Sequence, residues 1–142
     1  MSTELERIKE RYPDAQTFKF GDSKSLCDEL LALVRSGAKT ATCGALRDFP
    51  AGSADMPRPG RRDIALEWDD RPALVIETVD VSIYRYCEVT EEFALAEGEN
   101  NTLEGWRDGH RRYFERNGGF DPEMELVCEQ FRLVEDLASE GR

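Results

Sequence analysis

The chain has 142 residues, enough for one domain with a single sizeable core, and 39% hydrophobic against 35% charged residues describe an ordinary, charge-rich globular protein. A formal net charge of −11 and a sequence pI near 4.6 exclude tight, sequence-blind binding to long nucleic acid such as duplex DNA, because counterion release needs clustered Lys and Arg. No apolar run approaches the ~18 residues of a membrane span, so no membrane partner is expected; the N-terminus lacks a signal-peptide core, and the expected compartment is the cytoplasm.

In chain order, Thr3 to Tyr12 reads as a short, charged, peripheral helix ended by Pro13, within an N-terminal extension over 1–17. Phe18-Lys19-Phe20 is a brief extended piece. Ser23 or Ser25 caps a second helix, whose Leu26, Leu30, Leu31 and Val34 share one face. Gly37 stops it, since glycine enters the left-handed C-cap conformation without a Cβ clash. Thr40 to Leu46 follows as a strand. From Asp48 to Gly60 the chain collects Pro50, Gly52, Pro57, Pro59 and Gly60, and a loop of this length in a compact domain is more often a functional flap than a connector. A lid over the preceding strand is the expectation.

Ile64, Leu66 and Trp68 alternate with charges, as in a half-buried strand. Asp69-Asp70-Arg71-Pro72 is turn chemistry, Ala73 to Asp80 returns as the hairpin partner, and Val81 to Cys87 continues extended with a bend near Asp80. Thr90 caps a short helix carrying Phe93, Ala94 and Ala96. Thr102 caps another, with Leu103, Trp106, His110, Tyr113 and Phe114, ended by Gly118-Gly119. Leu126 to Leu133 is the last strand and 136–142 a frayed tail. With about five strands, three or four helices and no βαβ alternation, the expected class is α+β. A single domain over 1–142, with its core about 20–133, is expected.

Cys27, Cys43, Cys87 and Cys128 form no Cys-x-x-Cys pair, and the chain has one histidine, so neither a structural zinc site nor any cofactor is expected. Reduced, mostly buried thiols are the reading, with Cys43 the one to watch for reactivity.

The chemistry concentrates in three places. Lys39 and Thr42 lie just beyond the Gly37 stop, and an amine beside a hydroxyl can activate a weak oxygen nucleophile. Strand neighbours alternate faces, so a turn near Lys39 would be needed to bring the two together. Lys39 is a base only if burial or nearby cations lower its pKa; charged, it would stabilise an oxyanion or hold a phosphate. Glu97 sits in an acidic run, Thr90-Glu91-Glu92-Phe93-Ala94-Leu95-Ala96-Glu97-Gly98-Glu99, that spacing alone reads as a solvated face. The third place is Trp106-Arg107-x-x-His110: Arg107, Arg111, Arg112 and Arg116 share its helix, while Arg58, Arg61 and Arg62 cluster after the long loop. Trp106 and Tyr84 could each stack a base, though Trp106 also reads as core.

The order Gly-x-Lys-x-x-Thr, proline-glycine loop, hairpin, Thr-Glu-x-x-Ala-x-x-Glu-Gly-Glu, Trp-Arg-x-x-His and closing strand resembles the ASCH family, from about Phe20 to Leu133. The resemblance implies a PUA-like barrel of about five to six strands with flanking helices and RNA-related work, either as an enzyme or as a non-catalytic RNA-binding module. One group of small ASCH proteins cleaves the acetyl amide of N4-acetylcytidine. Their lysine, the threonine three residues later and the glutamate match Lys39, Thr42 and Glu97. By that analogy Thr42 attacks the carbonyl and Lys39 takes its proton. Glu97 orients the substrate or protonates the leaving amine, which needs a raised carboxyl pKa. Gly44 stands where those enzymes carry an arginine, and the Trp106–His110 helix matches a longer bacterial branch that includes a ribonuclease for single-stranded RNA. The implied partner is a small nucleoside-like substrate or a short single-stranded RNA, with Arg61, Trp106, Arg107, His110 and Arg111 as binding residues. Oligomeric state is left open.

Overall fold

The computed structural model describes residues 3–137 except 51, 54 and 55. Helix α1 (Glu4–Arg11) is capped by the Thr3 hydroxyl, and β1 (Thr17–Phe18) follows. Helix α2 (Lys24–Ser36) starts at Ser23, whose side chain accepts from the Leu26 amide, and ends at Gly37 with φ +84°. After β2 (Ala41–Ala45), one short 3-10 turn and the long loop, β3 (Arg62–Leu66) and β4 (Pro72–Arg85) form a hairpin. Helices α3 (Glu91–Ala96) and α4 (Leu103–Arg116) are capped by Thr90 and Thr102, and β5 (Glu125–Asp136) closes the order.

The five strands form one mixed sheet in the order β1-β3-β4-β5-β2, with β1 and β3 parallel and the other pairs antiparallel. The α+β class is as expected, whereas the sheet is open: β1 and β2 occupy its two edges, so the expected barrel does not close by strand pairing among the described residues. A two-residue β1 is too short to carry a closing ladder.

The strand expectations need three corrections. Arg62–Leu66 does not alternate; Asp63 to Leu66 are all buried, because α1 covers one face of β3 and α2 the other. Trp68 lies beyond the strand and is exposed, with the Lys19 ammonium over its ring. The extended segments on either side of Asp80 are one strand, with a register shift between Thr78 and Asp80 that turns Val79 outward. A bulge of this kind bends a strand and lets its two halves serve different cores.

Packing follows from these contacts. Helix α2 lays Cys27, Leu30, Leu31 and Val34 on Ala65, Leu74, Ile76 and Phe131. Helices α3 and α4 pack Phe93, Ala94, Trp106 and Phe114 against Ala41, Ala45, Leu126 and Cys128. Helix α1 is less peripheral than its charge suggests, because Ile8 joins Ile64, Leu66, Val75 and Leu137. The closing segment also runs longer than expected. Strand β5 reaches Asp136 and Leu137 is 1% exposed, so a frayed tail does not begin at 136; residues 138–142 lie outside those described. No described helix is long and apolar enough to cross a membrane.

Candidate active site

Two backbone junctions bring the sequence motifs together. At the end of α2, the Ala38 and Lys39 amides both donate to the Leu33 carbonyl, at 3.0 and 3.1 Å. The next residue, Thr40, donates its amide to the Ala96 carbonyl at 2.8 Å, which docks the end of α3 beside the start of β2. Glu97 then follows as the C-cap of α3, and Gly98 (φ +79°) packs against the Ala38 carbonyl.

The result is a buried ion pair between Lys39 and Glu97, whose side chains are 1% and 2% exposed. The Lys39 Nζ donates to the Ala41 carbonyl (2.7 Å), Glu97 Oε1 (3.3 Å) and the Glu97 carbonyl (3.4 Å), and Glu99 Oε2 lies 3.7 Å away. Three acceptors thus face the amine, matching the number of hydrogens an ammonium carries. The other Glu97 oxygen, Oε2, accepts from Trp106 Nε1 at 2.8 Å and faces His110 Nε2 at 3.3 Å. The second ring nitrogen of His110 lies 2.9 Å from the Trp106 carbonyl, and the His110 ring stacks on the Trp106 indole at 4.1 Å. Each imidazole nitrogen therefore faces an acceptor, which favours the doubly protonated ring.

The electrostatics follow the geometry. Burial alone would raise the Glu97 carboxyl, but the Lys39 charge, His110 and the hydrogen bonds from His110 and Trp106 outweigh it and hold the group at about 2. Burial would lower His110, and Glu97, Glu99 and the Trp106 carbonyl reverse this and raise it. Glu99, next to the hub, is raised, chiefly by burial, with the Lys39 charge opposing.

This cluster borders a cavity of about 620 Å³, which also takes Thr42, Cys43, Phe20, Phe49, Pro57, Arg61 and Glu129 into its lining. Of the described residues of the long loop, Phe49 and Pro57 line the cavity beside β2. The Thr42 side chain makes no hydrogen bond among the described residues.

A model of the ASCH domain matches residues 16–135. The chain belongs to the ASCH domain family. The crystal structure of an ASCH domain from Lactobacillus crispatus JV V101 is similar with a TM-score of 0.79 and 28% identity, covering 94% of this chain and 87% of that one. A protein from Enterococcus faecalis V583 is similar with a TM-score of 0.81 and 30% identity, over 97% and 93% of the two chains. Among proteins of curated function, none matches.

In this ASCH domain, the residues singled out from sequence divide. Lys39, Thr42, Glu97, His110 and Arg61 all reach the cavity. Arg61 arrives paired, its guanidinium 2.9 Å from Asp63 and donating to the Met56 carbonyl. Trp106 does not line the cavity; fully buried, it acts from behind by holding Glu97. Arg107 and Arg111 are also absent from the lining, being one turn apart on a stripe of α4 near Tyr86, whose hydroxyl donates to the Arg107 carbonyl. The arginines of α4 that do face the cavity are Arg112 and Arg116, the latter paired with Asp22 at 3.1 Å. Tyr84 is exposed on β4, away from the cavity, and Tyr113 lines it instead.

Two chemical expectations also change. Glu97 is depressed rather than raised, so it is a fixed carboxylate and not a proton donor. The Cys43 thiol, half-buried at the cavity, is pushed well up, by burial first and by Glu97 second, which lowers its thiolate fraction. Cys43, Glu97 and His110 do offer ligand atoms within 4.8 Å of one another. The donor set fits a cation poorly: the Lys39 ammonium sits 3.3 Å from Glu97 Oε1, and Trp106 Nε1 and His110 Nε2 already face Oε2.

Proposed function

We propose that this ASCH domain is a metal-independent hydrolase that cleaves an acyl amide of the N4-acetylcytidine type on a small nucleoside-like molecule. ASCH domains are commonly RNA-associated, which fits a substrate of nucleic-acid origin. Thr42 is the nucleophile. Lys39, a buried ammonium, supplies positive charge where the carbonyl oxygen becomes an oxyanion. Glu97 fixes Lys39 and His110 in place and takes no proton itself.

The observation that carries this reading is the meeting, on one cavity, of an uncommitted threonine hydroxyl and a buried ammonium held at the end of the preceding helix cap. The cavity walls are aromatic and aliphatic through Phe20, Phe49, Tyr113 and Ile76, as a base would require. A ribonuclease is favoured less, because the cavity's Lys39, Arg61 and Arg116 are paired with carboxylates, leaving Arg112 as the lining arginine that makes no ion pair among the described residues. Glu29, Glu99 and Glu129 add acidic side chains to the same wall. A non-catalytic binding module would make no use of Thr42.

The test is incubation with N4-acetylcytidine and, separately, a short single-stranded RNA, with products read by mass spectrometry. Thr42→Ala is expected to lower deacetylation by at least about 1000-fold while substrate affinity changes less than about threefold. Undiminished turnover by Thr42→Ala would remove the nucleophile. RNA cleavage without deacetylation would transfer the assignment to the ribonuclease.

A further inference from the structure

The hydrolase needs a base for the Thr42 proton, and neither partner suggested by the family pattern is free to act as one. Lys39 spends its hydrogens on two carbonyls and a carboxylate oxygen, with no lone pair left to accept. Glu97 lies within 4.8 Å of the Cys43 thiol and has both oxygens engaged. Thr42 and Cys43 both border the cavity, but it is the Cys43 thiol, at the next strand position, that lies against Glu97.

The register of β2 with β5 sets Glu129 directly opposite Thr42. Directly opposed residues have Cβ atoms about 4.5–5.5 Å apart, within reach of a glutamate carboxyl and a threonine hydroxyl. Both side chains line the cavity. Glu129 is held from the far side by Thr78, a residue 1% exposed at the β4 bulge, whose hydroxyl donates to Glu129 Oε2 at 2.6 Å. Its other oxygen, Oε1, makes no hydrogen bond among the described residues.

We propose that Glu129 is the general base that activates Thr42, with Thr78 orienting it. The assignment rests on the hydrolase reading and changes which residue moves the proton. Glu129 Oε1 takes the Thr42 hydroxyl proton as Oγ1 bonds to the amide carbonyl carbon, and the carbonyl π pair becomes the oxyanion. When that pair returns, the C–N bond breaks and Glu129 gives its proton to the leaving amine. Water, deprotonated by the same carboxylate, then attacks the Thr42 ester, and the proton returns to Oγ1 as the acid departs. Burial raises the Glu129 carboxyl, and Asp63 adds to it against the opposing Thr78 bond, Arg61 and Lys39. A raised carboxyl is a stronger base once ionised, which suits the task. The arrangement repeats the general pattern of nucleophile, base and a third group that orients the base.

The test uses the full chain with 4-nitrophenyl acetate, whose leaving group needs no proton, and measures acetylation at Thr42 by acid quench and peptide mass spectrometry. Wild type is expected to label Thr42, and Glu129→Gln, which keeps the Thr78 hydrogen bond, is expected to label it about 100-fold more slowly. Glu129→Ala is expected to recover at least tenfold when formate is added, a rescue that a merely structural role would not show; thermal melts confirm that both variants fold. Labelling of Thr42 by Glu129→Gln at the wild-type rate overturns the base and leaves the hydrolase reading standing. A wild-type protein that never carries acetyl on Thr42 overturns both.

Discussion

Glu97→Gln is expected to destabilise the fold by about 3–5 kcal/mol, the cost of breaking a buried ion pair from one side. The glutamine fills the same volume and can still accept from Trp106, so the loss isolates charge from packing. What remains is an ammonium 1% exposed and an imidazole, both facing a neutral amide. Glu99, 3.7 Å from the Lys39 Nζ and 23% exposed, offers partial compensation and places the expectation toward the lower end.

The pH dependence gives the same variant a second signature. Glu97 is held at about 2 against an ordinary 4.5, so its contribution is present above 4.5 and is lost as pH falls from there toward 2. A difference of that size corresponds to about 3 kcal/mol. His110 is raised above its ordinary 6.5, so its contribution is complete below 6.5 and fades as pH climbs through the folded value. Urea titrations from about pH 2 to about pH 9 should therefore show wild-type stability falling on both sides of the interval 4.5–6.5, with both limbs flatter in Glu97→Gln. Equal midpoints and superimposable pH curves for the two proteins would show that the pair carries no net stability.

Gly98→Ala is expected to cost about 3 kcal/mol or more, although it adds one methyl group. Gly98 has φ +79°, a left-handed conformation that costs an L-residue about 1–2 kcal/mol. Its added Cβ would also lie 2.5 Å from the Ala38 carbonyl oxygen, 2.8 Å from the Ala38 carbonyl carbon and 3.0 Å from the Lys39 nitrogen. All three are backbone atoms, so no side chain can swing aside. Gly37 is the internal control, with φ +84° and nothing within 4 Å of the place a Cβ would take. Thermal melts of Gly98→Ala and Gly37→Ala separate the clash from the dihedral cost. Equal losses in the two would mean that Gly98 does not hold Glu97 against Lys39. The same variant should also lose turnover, since relief of the clash moves Lys39 away from its carboxylate.

Local signals were the legible ones. Thr3, Ser23, Thr90 and Thr102 cap their helices because capping needs only a hydroxyl three residues ahead of an amide, and Gly37 ends α2 for an equally local reason. Lys39, Thr42 and Glu97 were legible as a pattern, and their shared cavity follows from the docking of Thr40 on Ala96. Features set by distant partners were not legible. Strand β3 lost its apparent alternation once helices covered both faces. Arg107 and Arg111 differ from Arg112 and Arg116 only in helical phase, which composition does not reveal. Glu129 stands between Cys128 and Gln130 as an ordinary charged strand residue, and only the pairing of β5 with β2 and β4 sets it beside Thr42 and Thr78. Trp106 could be read as core or as a stacking platform; it is core, and its indole N–H adds a link to Glu97 that burial statistics do not predict.

The pairing of cations within the cavity bears on how a substrate arrives. With Lys39, Arg61 and Arg116 each set against a carboxylate, and Arg112 alone of the lining arginines outside an ion pair among the described residues, little positive field leaves the cavity mouth, while the chain as a whole carries −11. An uncharged nucleoside should therefore enter at a rate that is equal in dilute and concentrated salt. A polyanion would approach more slowly as salt is withdrawn, opposite to the behaviour of basic RNA-binding surfaces, so encounter kinetics sort substrates before any bond is made.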